Sequence, residues 1–427
     1  MLTFWIFFTL LVLILLDLPI AISMGLTAVI FFFITGNGAI LVMLPQRMYA
    51  STVGFTLIAI PFFILAGNLM NQGGITTRIF KFAKALVGHV KGGLGHVCIL
   101  SNMIFSGMSG SAIADAAGLG QILYKAMKDN GYSPKFSAAI VASAATIGPV
   151  IPPSIPFVLY GALTTVSVSK LFMAGFIPGI MMGIALMIAV SIIANLRNIP
   201  KAERASLKEI LLSIRDAFLP LMAPVIIIGG ILSGLFTPTE ASVVLCIYAM
   251  FLGFLYKDLK LKDLPEIFWT SIKQTVSLMF IIAAAGLFGW LTIYQKIPDQ
   301  IISTLMTISA TPASIMAVVI VIVLILGCFL EGNAIFLITI PIFLPVCRQF
   351  GIDLVNFGVV MTLLIMVGNL TPPVGMCLFA VSSFSKVKIM ELAKEAWPYI
   401  FGIAVVTIIL AYVPAISTWL PYLVMGK

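Results

Sequence analysis

Long apolar stretches recur along the whole chain and are separated by short polar or glycine- and proline-containing segments. Several are long enough, as helices, to cross a hydrocarbon layer of ~30 Å. They lack the alternation of polar and apolar residues that a membrane β-barrel requires. The pattern predicts an all-α polytopic membrane protein. The predicted spans are 2–17, 20–36, 54–70, 135–163, 171–195, 217–236, 240–256, 274–294, 355–384 and 397–419.

Two further apolar stretches are interrupted near their middles. The stretch 94–129 contains a serine- and glycine-rich run at 106–111, and the stretch 312–348 contains Glu331-Gly332-Asn333. Glycine and polar residues weaken a helix inside a membrane. Each stretch therefore predicts a re-entrant hairpin, which enters and leaves the membrane on one side.

Glycine and proline positions repeat at a spacing of 220 residues. Gly107 matches Gly327, and Pro152-Pro153 matches Pro372-Pro373. Because glycine and proline dictate backbone geometry, matched positions predict one fold built twice. Each copy is predicted to cross the membrane five times, so the second copy starts on the opposite side and the two repeats are inverted. The predicted repeats are 1–200 and 217–427, with a linker helix at 201–216.

Composition and charge support this class and suggest an orientation. The chain is 61% hydrophobic and only 9% charged, whereas soluble domains carry about 25% charged residues. With both termini in the periplasm, 19 of the 24 basic residues lie on the cytoplasmic side, as the positive-inside rule requires. The net charge of +9 is thus explained by topology, and no nucleic-acid partner is expected. The basic residues left outside are Arg47, Lys170, Lys296, Arg348 and Lys427.

Three segments are too polar to cross the membrane but have helical composition. They are 76–91, 201–216 and 258–272, and each mixes basic residues with large apolar ones. Such segments are typical of helices that lie in the membrane interface. We expect all three on the cytoplasmic side.

The predicted chemistry lies at the two hairpin tips and at two facing helix breaks, 146–154 and 368–373. Proline removes backbone hydrogen bonds, and the carbonyl oxygens released in hydrocarbon need a new partner. A bound Na⁺ supplies one, since a hard cation suits oxygen ligands. Helix N-termini at the same breaks suit an anionic substrate. The simpler interpretation is a kinked helix packed by small residues; two matched tip-and-break pairs favour an ion and substrate site.

Two acidic residues near the tips require separate consideration. Glu331 follows a long apolar run, and a carboxylate inside a membrane is usually functional. The alternative is a charge in water near the outer mouth. Asp115 follows the first tip and is interpreted either as a cap or as a hydrogen-bonding residue of the hairpin. Glu240 is interpreted as part of a helix start.

Enzyme signatures do not occur in the sequence. It has no GxxxxGK[ST], HExxH or GxSxG motif. We therefore predict that the chain is not an enzyme and does not use ATP. Uphill transport would then depend on an ion gradient.

Six segments together carry a family resemblance. The chain resembles the large membrane subunit of tripartite ATP-independent periplasmic (TRAP) transporters over nearly its whole length. One departure is Glu331, where the family more often has aspartate. The segments are LIAIPFFILAGNLM at 57–70, FSGMSGS at 105–111, IPPS at 151–154, TPTEA at 237–241, IPIFLP at 340–345 and LTPPVG at 370–375.

This resemblance implies a function and partners. Such subunits import organic acids across the bacterial inner membrane with two or more Na⁺ ions and resemble elevator transporters, in which a domain carrying both hairpins slides past a scaffold. They act with a small membrane subunit of about four spans and a periplasmic substrate-binding protein. This chain contains neither, so we expect a separate large subunit.

The resemblance also implies site residues. Two Na⁺ sites would form where each hairpin tip meets its break, and the substrate would lie between the tips. The first Na⁺ site would use Ser106, Ser109, Gly148, Ile151 and Pro152, and the second Gly332, Asn333, Gly368, Thr371 and Pro372. Substrate would contact Ser111, Ser154, Glu331 and Asn369.

The substrate and the wider class leave alternatives open. The whole sequence resembles the sialic-acid branch, with C4-dicarboxylates as the leading rival. A divalent-anion/Na⁺ symporter that works alone would share the hairpins and inverted repeats. A channel would need a continuous polar ring, and an intramembrane enzyme would need a nucleophile or metal constellation.

Overall fold

The computed structural model describes residues 2–199, 201, 203–307 and 311–426, and the regular structure in these ranges is entirely helical. The prediction of an all-α protein is confirmed. Helices α1 to α11 are Leu2–Leu15, Ile20–Ile34, Leu44–Ala50, Ala59–Gln72, Ile75–Val87, Gly93–Ser109, Ala112–Ala117, Leu119–Asp129, Pro134–Ala145, Ile155–Thr164 and Val168–Leu196. Helices α12 to α21 are Leu207–Leu232, Pro238–Leu255, Leu264–Tyr294, Ile297–Thr307, Pro312–Gly327, Gly332–Gln349, Leu354–Gly368, Met376–Ser385, Ile389–Tyr412 and Ala415–Met425. Short 3₁₀ helices lie at Gly38–Met43, Phe55–Ile58 and Leu261–Asp263.

Seven helices in the described ranges are long and apolar enough to cross a membrane. Six of them overlap predicted spans, and the seventh is α17, the second limb of the second hairpin. The predicted spans 135–163 and 355–384 are each divided into two shorter helices, as their internal breaks suggested. The seven are Phe55–Gln72, Val168–Leu196, Leu207–Leu232, Pro238–Leu255, Leu261–Tyr294, Gly332–Gln349 and Ile389–Tyr412.

Two of the three predicted interfacial helices are not separate elements. The segment 201–216 was predicted as a linker helix, but α12 begins at Leu207 and continues to Leu232. Likewise, most of 258–272 belongs to the start of α14. The prediction placed a helix boundary at the change from polar to apolar residues, and this was wrong. Lys, Arg and Glu have nearly the same helix propensity as Leu, so the helix continues through the change. Only 76–91 forms a helix of its own, α5.

The last predicted span, 397–419, is also placed incorrectly. Helix α20 begins earlier, at Ile389, and ends at Tyr412. Pro414 then starts a short separate helix, α21. The chain turns at 413–414, so the predicted span does not continue as one helix.

Both predicted hairpins are present as helix pairs with an interruption. In the first, α6 ends at Ser109, and Gly110 takes a left-handed conformation with φ of 62° before α7 begins. A second interruption at Gly118 separates α7 from α8. In the second hairpin, residues 328–331 separate α16 from α17. The glycine and polar runs therefore mark the turns as predicted.

The two helix breaks lie between α9 and α10 and between α18 and α19. The peptide bonds Pro152-Pro153 and Pro372-Pro373 are both cis. Ser154 caps α10, and Gly375, with φ of 51°, precedes α19. A non-glycine residue would be strained at this φ. Each break is thus followed by a new helix N-terminus, which Ser154 caps in α10.

Helix packing brings the hairpins and the breaks into one assembly. The first limb of each hairpin packs on its broken helix, α6 on α9 and α16 on α18. Helix α7 of the first hairpin contacts α19 of the second half, so the two halves meet at the centre. Around them, α4 packs along α13 and α14 along α2. We call α2, α4, α13 and α14 the outer wall.

Candidate functional site

A cavity of about 710 Å³ lies between the two hairpin tips and the outer wall. Residues 109–114 of the first hairpin and 331–333 of the second line it, together with Asn369 from the second break. The opposite side is formed by residues 19–21 and by one face of α14. This volume accommodates a small organic molecule. The structure therefore brings both predicted tips to one space.

The first hairpin tip lies directly on the first helix break. The Ile155 amide donates to the carbonyl oxygen of Gly110 at 3.4 Å. A methyl group built on Gly110 would lie 2.7 Å from the carbonyl oxygen of Pro153, closer than real side chains approach. The two segments are 45 residues apart in sequence, and glycine at the tip permits this close backbone approach.

Asp115 joins two of the predicted Na⁺ ligands. Its side chain is fully buried, and Oδ1 accepts a hydrogen bond from Ser109 Oγ. Oδ2 has no hydrogen-bond partner among the described residues. A methyl group built on Gly148 would lie 2.4 Å from this oxygen, so Asp115 sits against the Gly148 backbone. A buried carboxylate oxygen without a donor is costly and suits a cation.

Sequence reasoning underestimated Asp115. It was interpreted as a cap or a hydrogen-bonding residue of the hairpin, but Ser111 is the residue that caps α7, by accepting from the Ala114 amide. The hydrogen bond of Asp115 is real and reaches back across the tip to Ser109. The signal that could have given it more weight is an acidic residue inside an otherwise apolar hairpin.

The second tip meets the second break in a similar way. The Val374 amide donates to the carbonyl oxygen of Cys328 at 3.1 Å. Gly327 and Gly368 face each other, and a methyl group on Gly368 would lie 2.7 Å from the Gly327 Cα atom. The hydroxyl of Thr371, in the break, donates to the Val367 carbonyl in the last turn of α18 at 2.7 Å. Its lone pairs remain available to a cation.

Glu331, which is half-buried, lines the central cavity with Asn333. Its functional interpretation and the alternative of a charge near the outer mouth both stay predictions. Asn333 Nδ2 donates to Glu331 Oε1 at 2.6 Å. The two side chains are thus paired across the start of α17. Asn369, which is nearly buried, contributes an amide from the second break. These three predicted residues are brought together.

The predicted residue Ser154 is not brought to the cavity wall. It is fully buried, donates to the Pro149 carbonyl and accepts from the Phe157 amide. Its hydroxyl therefore caps the start of α10 and does not face the cavity. Ser111, in contrast, lines the cavity while it caps α7. Of the two predicted serines, Ser111 has the geometry for substrate.

Helix α14 contributes polar residues that sequence reasoning missed. Lys273, Gln274 and Ser277 lie on the face that lines the cavity. Gln274 accepts from Asn68 Nδ2 at 3.0 Å, which ties α14 to α4. Lys273 had been counted only as a cytoplasmic basic residue. The signal was a polar stripe at helical spacing in a segment that continues as an apolar span.

Comparison with solved structures shows which known folds this chain resembles. The fold is similar to the YdaH transporter of Alcanivorax borkumensis, with a TM-score of 0.63 and 14% identity over 90% of this chain and 89% of that one. It is also similar to MtrF of Neisseria gonorrhoeae, with a TM-score of 0.57 and 14% identity over 88% and 84% of the two chains. At this level of identity, the likeness shows that the three chains share a fold.

The sequence comparisons give the family. The family described as "Tripartite ATP-independent periplasmic transporter, DctM component" matches residues 7–416. The chain is 40% identical to the sialic acid TRAP transporter large permease protein SiaM of Vibrio cholerae serotype O1, over 96% of each chain. It is 41% identical to the C4-dicarboxylate TRAP transporter large permease protein DctM of Pseudomonas aeruginosa, over 88% and 89%. The chain belongs to the DctM family of TRAP large permeases. Its relatives are transporter permeases and not enzymes, as predicted.

Proposed function

We propose that this chain imports an organic acid by Na⁺-coupled secondary transport across the bacterial inner membrane. The observation that carries the proposal is Asp115, whose buried free oxygen lies where the first hairpin tip meets the first break. Family membership makes the chain a transporter subunit, and a buried oxygen cluster beside a cavity supports cation coupling. ATP has no role in this mechanism.

The first Na⁺ would be held by the tip and the break together. Ser106, Ser109, Gly148, Ile151 and Pro152 are the proposed ligand residues, and the geometry favours adding Asp115. A bound Na⁺ would neutralise the carboxylate and complete the coordination of oxygens freed at the break. The tip and the break belong to different segments, so cation binding there favours their closed arrangement.

The second Na⁺ would be held without an aspartate. The proposed ligand residues are Gly332, Asn333, Gly368, Thr371 and Pro372. The backbone contact of Gly327 with Gly368 and the hydrogen bond from Val374 to Cys328 support a site between the second tip and its break. Backbone and hydroxyl oxygens are suitable for Na⁺, and the nearest acid is Glu331, which bonds Asn333. We infer that the two sites differ in charge.

The substrate would lie in the central cavity. Ser111, Glu331, Asn333 and Asn369 present hydroxyl, carboxylate and amide groups to it, and sialic acid carries many hydroxyl groups as well as a carboxylate. Sialic acid is therefore our favoured substrate and a C4-dicarboxylate the next. The relatives named for these substrates are 40% and 41% identical, so overall identity does not separate them.

The transport step is proposed to be an elevator movement. The two hairpin tips and the breaks line one side of the cavity and the outer wall lines the other, and in this proposal the hairpins and breaks would move as one unit. Sliding this unit past the wall would carry the substrate across the membrane without opening a continuous pore. The partners would be a small membrane subunit and a periplasmic binding protein, and both termini of this chain would be periplasmic.

Uptake into proteoliposomes tests the proposed function. The chain would be reconstituted with its small subunit, and labelled sialic acid and succinate would be supplied with or without Na⁺ and with or without binding protein. We expect uptake that requires both Na⁺ and the binding protein. Uptake by this chain alone would favour the stand-alone symporter, and uptake indifferent to Na⁺ would overturn the ion sites.

Replacement of Glu331 by glutamine is expected to reduce uptake by about tenfold. The change keeps the shape but removes the charge that Asn333 contacts inside the cavity, and a hydrogen bond to a charged group contributes about 1.5–3 kcal/mol. Initial uptake rates at several substrate concentrations measure this. Glu240→Gln, at an exposed helix start outside the cavity, is the matched control. Wild-type kinetics in Glu331→Gln would remove this carboxylate from the site.

Replacement of Thr371 by alanine is expected to weaken the activation of uptake by Na⁺ by several-fold while the protein stays folded. The hydroxyl donates to the Val367 carbonyl at the end of α18 at 2.7 Å, so its loss affects stability by only about 1 kcal/mol. Half-saturation by Na⁺ is the measurement, and Thr407→Ala, with an equivalent hydrogen bond in α20, is the control. Equal Na⁺ activation in both variants would count against the second site.

A further inference from the structure

The cavity has an uneven distribution of charge. Lys273 is the one basic side chain among the described residues that line it. Its ammonium group has no carboxylate within ion-pair distance in the described part of the chain. Glu331, the acidic residue of the cavity, is held by Asn333 on the hairpin. The α14 side of the cavity therefore presents an uncompensated positive charge.

The exposed side chain of Lys273 lies beside an aromatic ring of its own helix. Lys273 Nζ lies 5.2 Å from the centre of the Trp269 ring, one helical turn earlier. A cation over an aromatic face is favourable and leaves the ammonium hydrogens free to donate. Asn68 bonds both Ser271 and Gln274, at 2.8 and 3.0 Å, on either side of Lys273. The ammonium group thus belongs to the outer wall and not to the hairpins.

We propose that Lys273 binds the carboxylate of the transported anion from the outer wall while the hairpin tips hold its hydroxyl or amide groups. The inference rests on the proposed function and assigns a specificity residue that the motifs did not indicate. A carboxylate paired with a partly solvated ammonium is recognised by charge and not by shape. The ligand class is a small organic anion with at least one free carboxylate.

The position of Lys273 in α14 bears on the side of the membrane from which it would meet the substrate. If the hairpins slide past the outer wall, a residue of α14 meets the substrate in only some positions of the unit. The basic residues of the segment 257–273 were all predicted to face the cytoplasm. Lys273 is the last of these before the apolar part of α14. With the predicted orientation, Lys273 would contact the anion on the cytoplasmic side.

Substrate counterflow tests the inference. Proteoliposomes would contain wild type, Lys273→Gln, Lys273→Arg or Lys262→Gln, with the small subunit; Lys262 is an exposed lysine just before α14 and outside the cavity. We expect Lys273→Gln to raise the KM for the anion on the cytoplasmic side by about tenfold. The arginine variant should stay close to wild type because it keeps the charge, and the Lys262 variant should be unchanged.

A neutral analogue gives a second readout that a merely structural role would not change. N-acetylneuraminate and succinate would each be compared with the corresponding carboxamide in binding to the purified complex. The amide should bind wild type about tenfold more weakly, but Lys273→Gln should bind both forms alike, since the interaction is already lost. If wild type and Lys273→Gln lost the same factor in affinity on going from the acid to the amide, the assignment of Lys273 would be overturned.

The two proposals fail in different ways. Wild type that transports with Na⁺, together with an unchanged cytoplasmic KM in Lys273→Gln, would overturn only the role of Lys273. An equal rise in KM on both sides would overturn the sidedness. Wild type that neither binds nor transports either anion would overturn the proposed function and this inference with it. Na⁺ half-saturation should be the same in all four proteins.

Discussion

Replacement of Asp115 by asparagine is expected to raise the half-saturating Na⁺ concentration by about 10- to 100-fold and to stop uptake at low Na⁺. Asparagine has nearly the same shape, so the contact with Gly148 is kept. What is lost is the negative charge and the buried free oxygen Oδ2. We expect the loss of a charged ligand to act on cation binding far more than on the fold.

Thermal unfolding of the purified complex separates binding from transport. A ligand that binds only the folded state stabilises it by about 2.7 kcal/mol at 100 times its Kd. Added Na⁺ should therefore raise the midpoint temperature of unfolding of wild type and hardly change that of Asp115→Asn. Asp129→Asn, at the exposed end of α8, is the control and should respond like wild type. A full Na⁺ response in Asp115→Asn would exclude this carboxylate from the site.

Replacement of Gly368 by alanine is expected to reduce uptake by at least about tenfold. The added methyl group would lie 2.7 Å from the Gly327 Cα atom and 3.0 Å from its carbonyl oxygen. Both are backbone atoms, so the second hairpin must move away from its break. Overpacking of this kind costs about 1–3 kcal/mol, and here it acts on the geometry of the proposed second Na⁺ site.

Gly229→Ala is the matched control for this change. Gly229 is also a helical glycine, in α12, but a methyl group there meets nothing within 4 Å. Alanine should be neutral or slightly stabilising at that position, because it favours helix over glycine. Uptake at saturating and at low Na⁺ would be measured for both. Normal uptake by Gly368→Ala would show that the tip and break tolerate separation.

The hairpins and the helix breaks were predictable from sequence because local rules produce them. Glycine permits φ of 62° at Gly110, and each of the two Pro-Pro pairs lies in a break between helices. The breaks between α9 and α10 and between α18 and α19 therefore lie where the prolines indicated. These features need no knowledge of what packs beside them.

Helix boundaries were less predictable where polarity was the only guide. Residues 201–216 and 258–272 lie in α12 and α14 for most of their length, because charged residues continue a helix out of the membrane. The capping box of Ser206 and Glu209 marks where α12 starts. That motif is local and could have corrected the boundary.

The contacts that define the site required the tertiary structure. Asp115 was recognised as an acid near a tip, but its position against Gly148 depends on how α7 packs beside the break. Lys273 lines the cavity because Asn68, about 200 residues away in sequence, holds α14. Ser154 carries the same motif signal as Ser111 but is turned to its own helix.

The sequence by itself determined that this chain is a helical membrane transporter with two matched tip-and-break pairs. Apolar length and the positions of glycine and proline act within a few residues, so they are visible without a fold. Only the tertiary structure decided which polar groups share the cavity and which buried oxygen lacks a donor. Those properties depend on segments that are distant in sequence, and on the side toward which each side chain points once the helices pack.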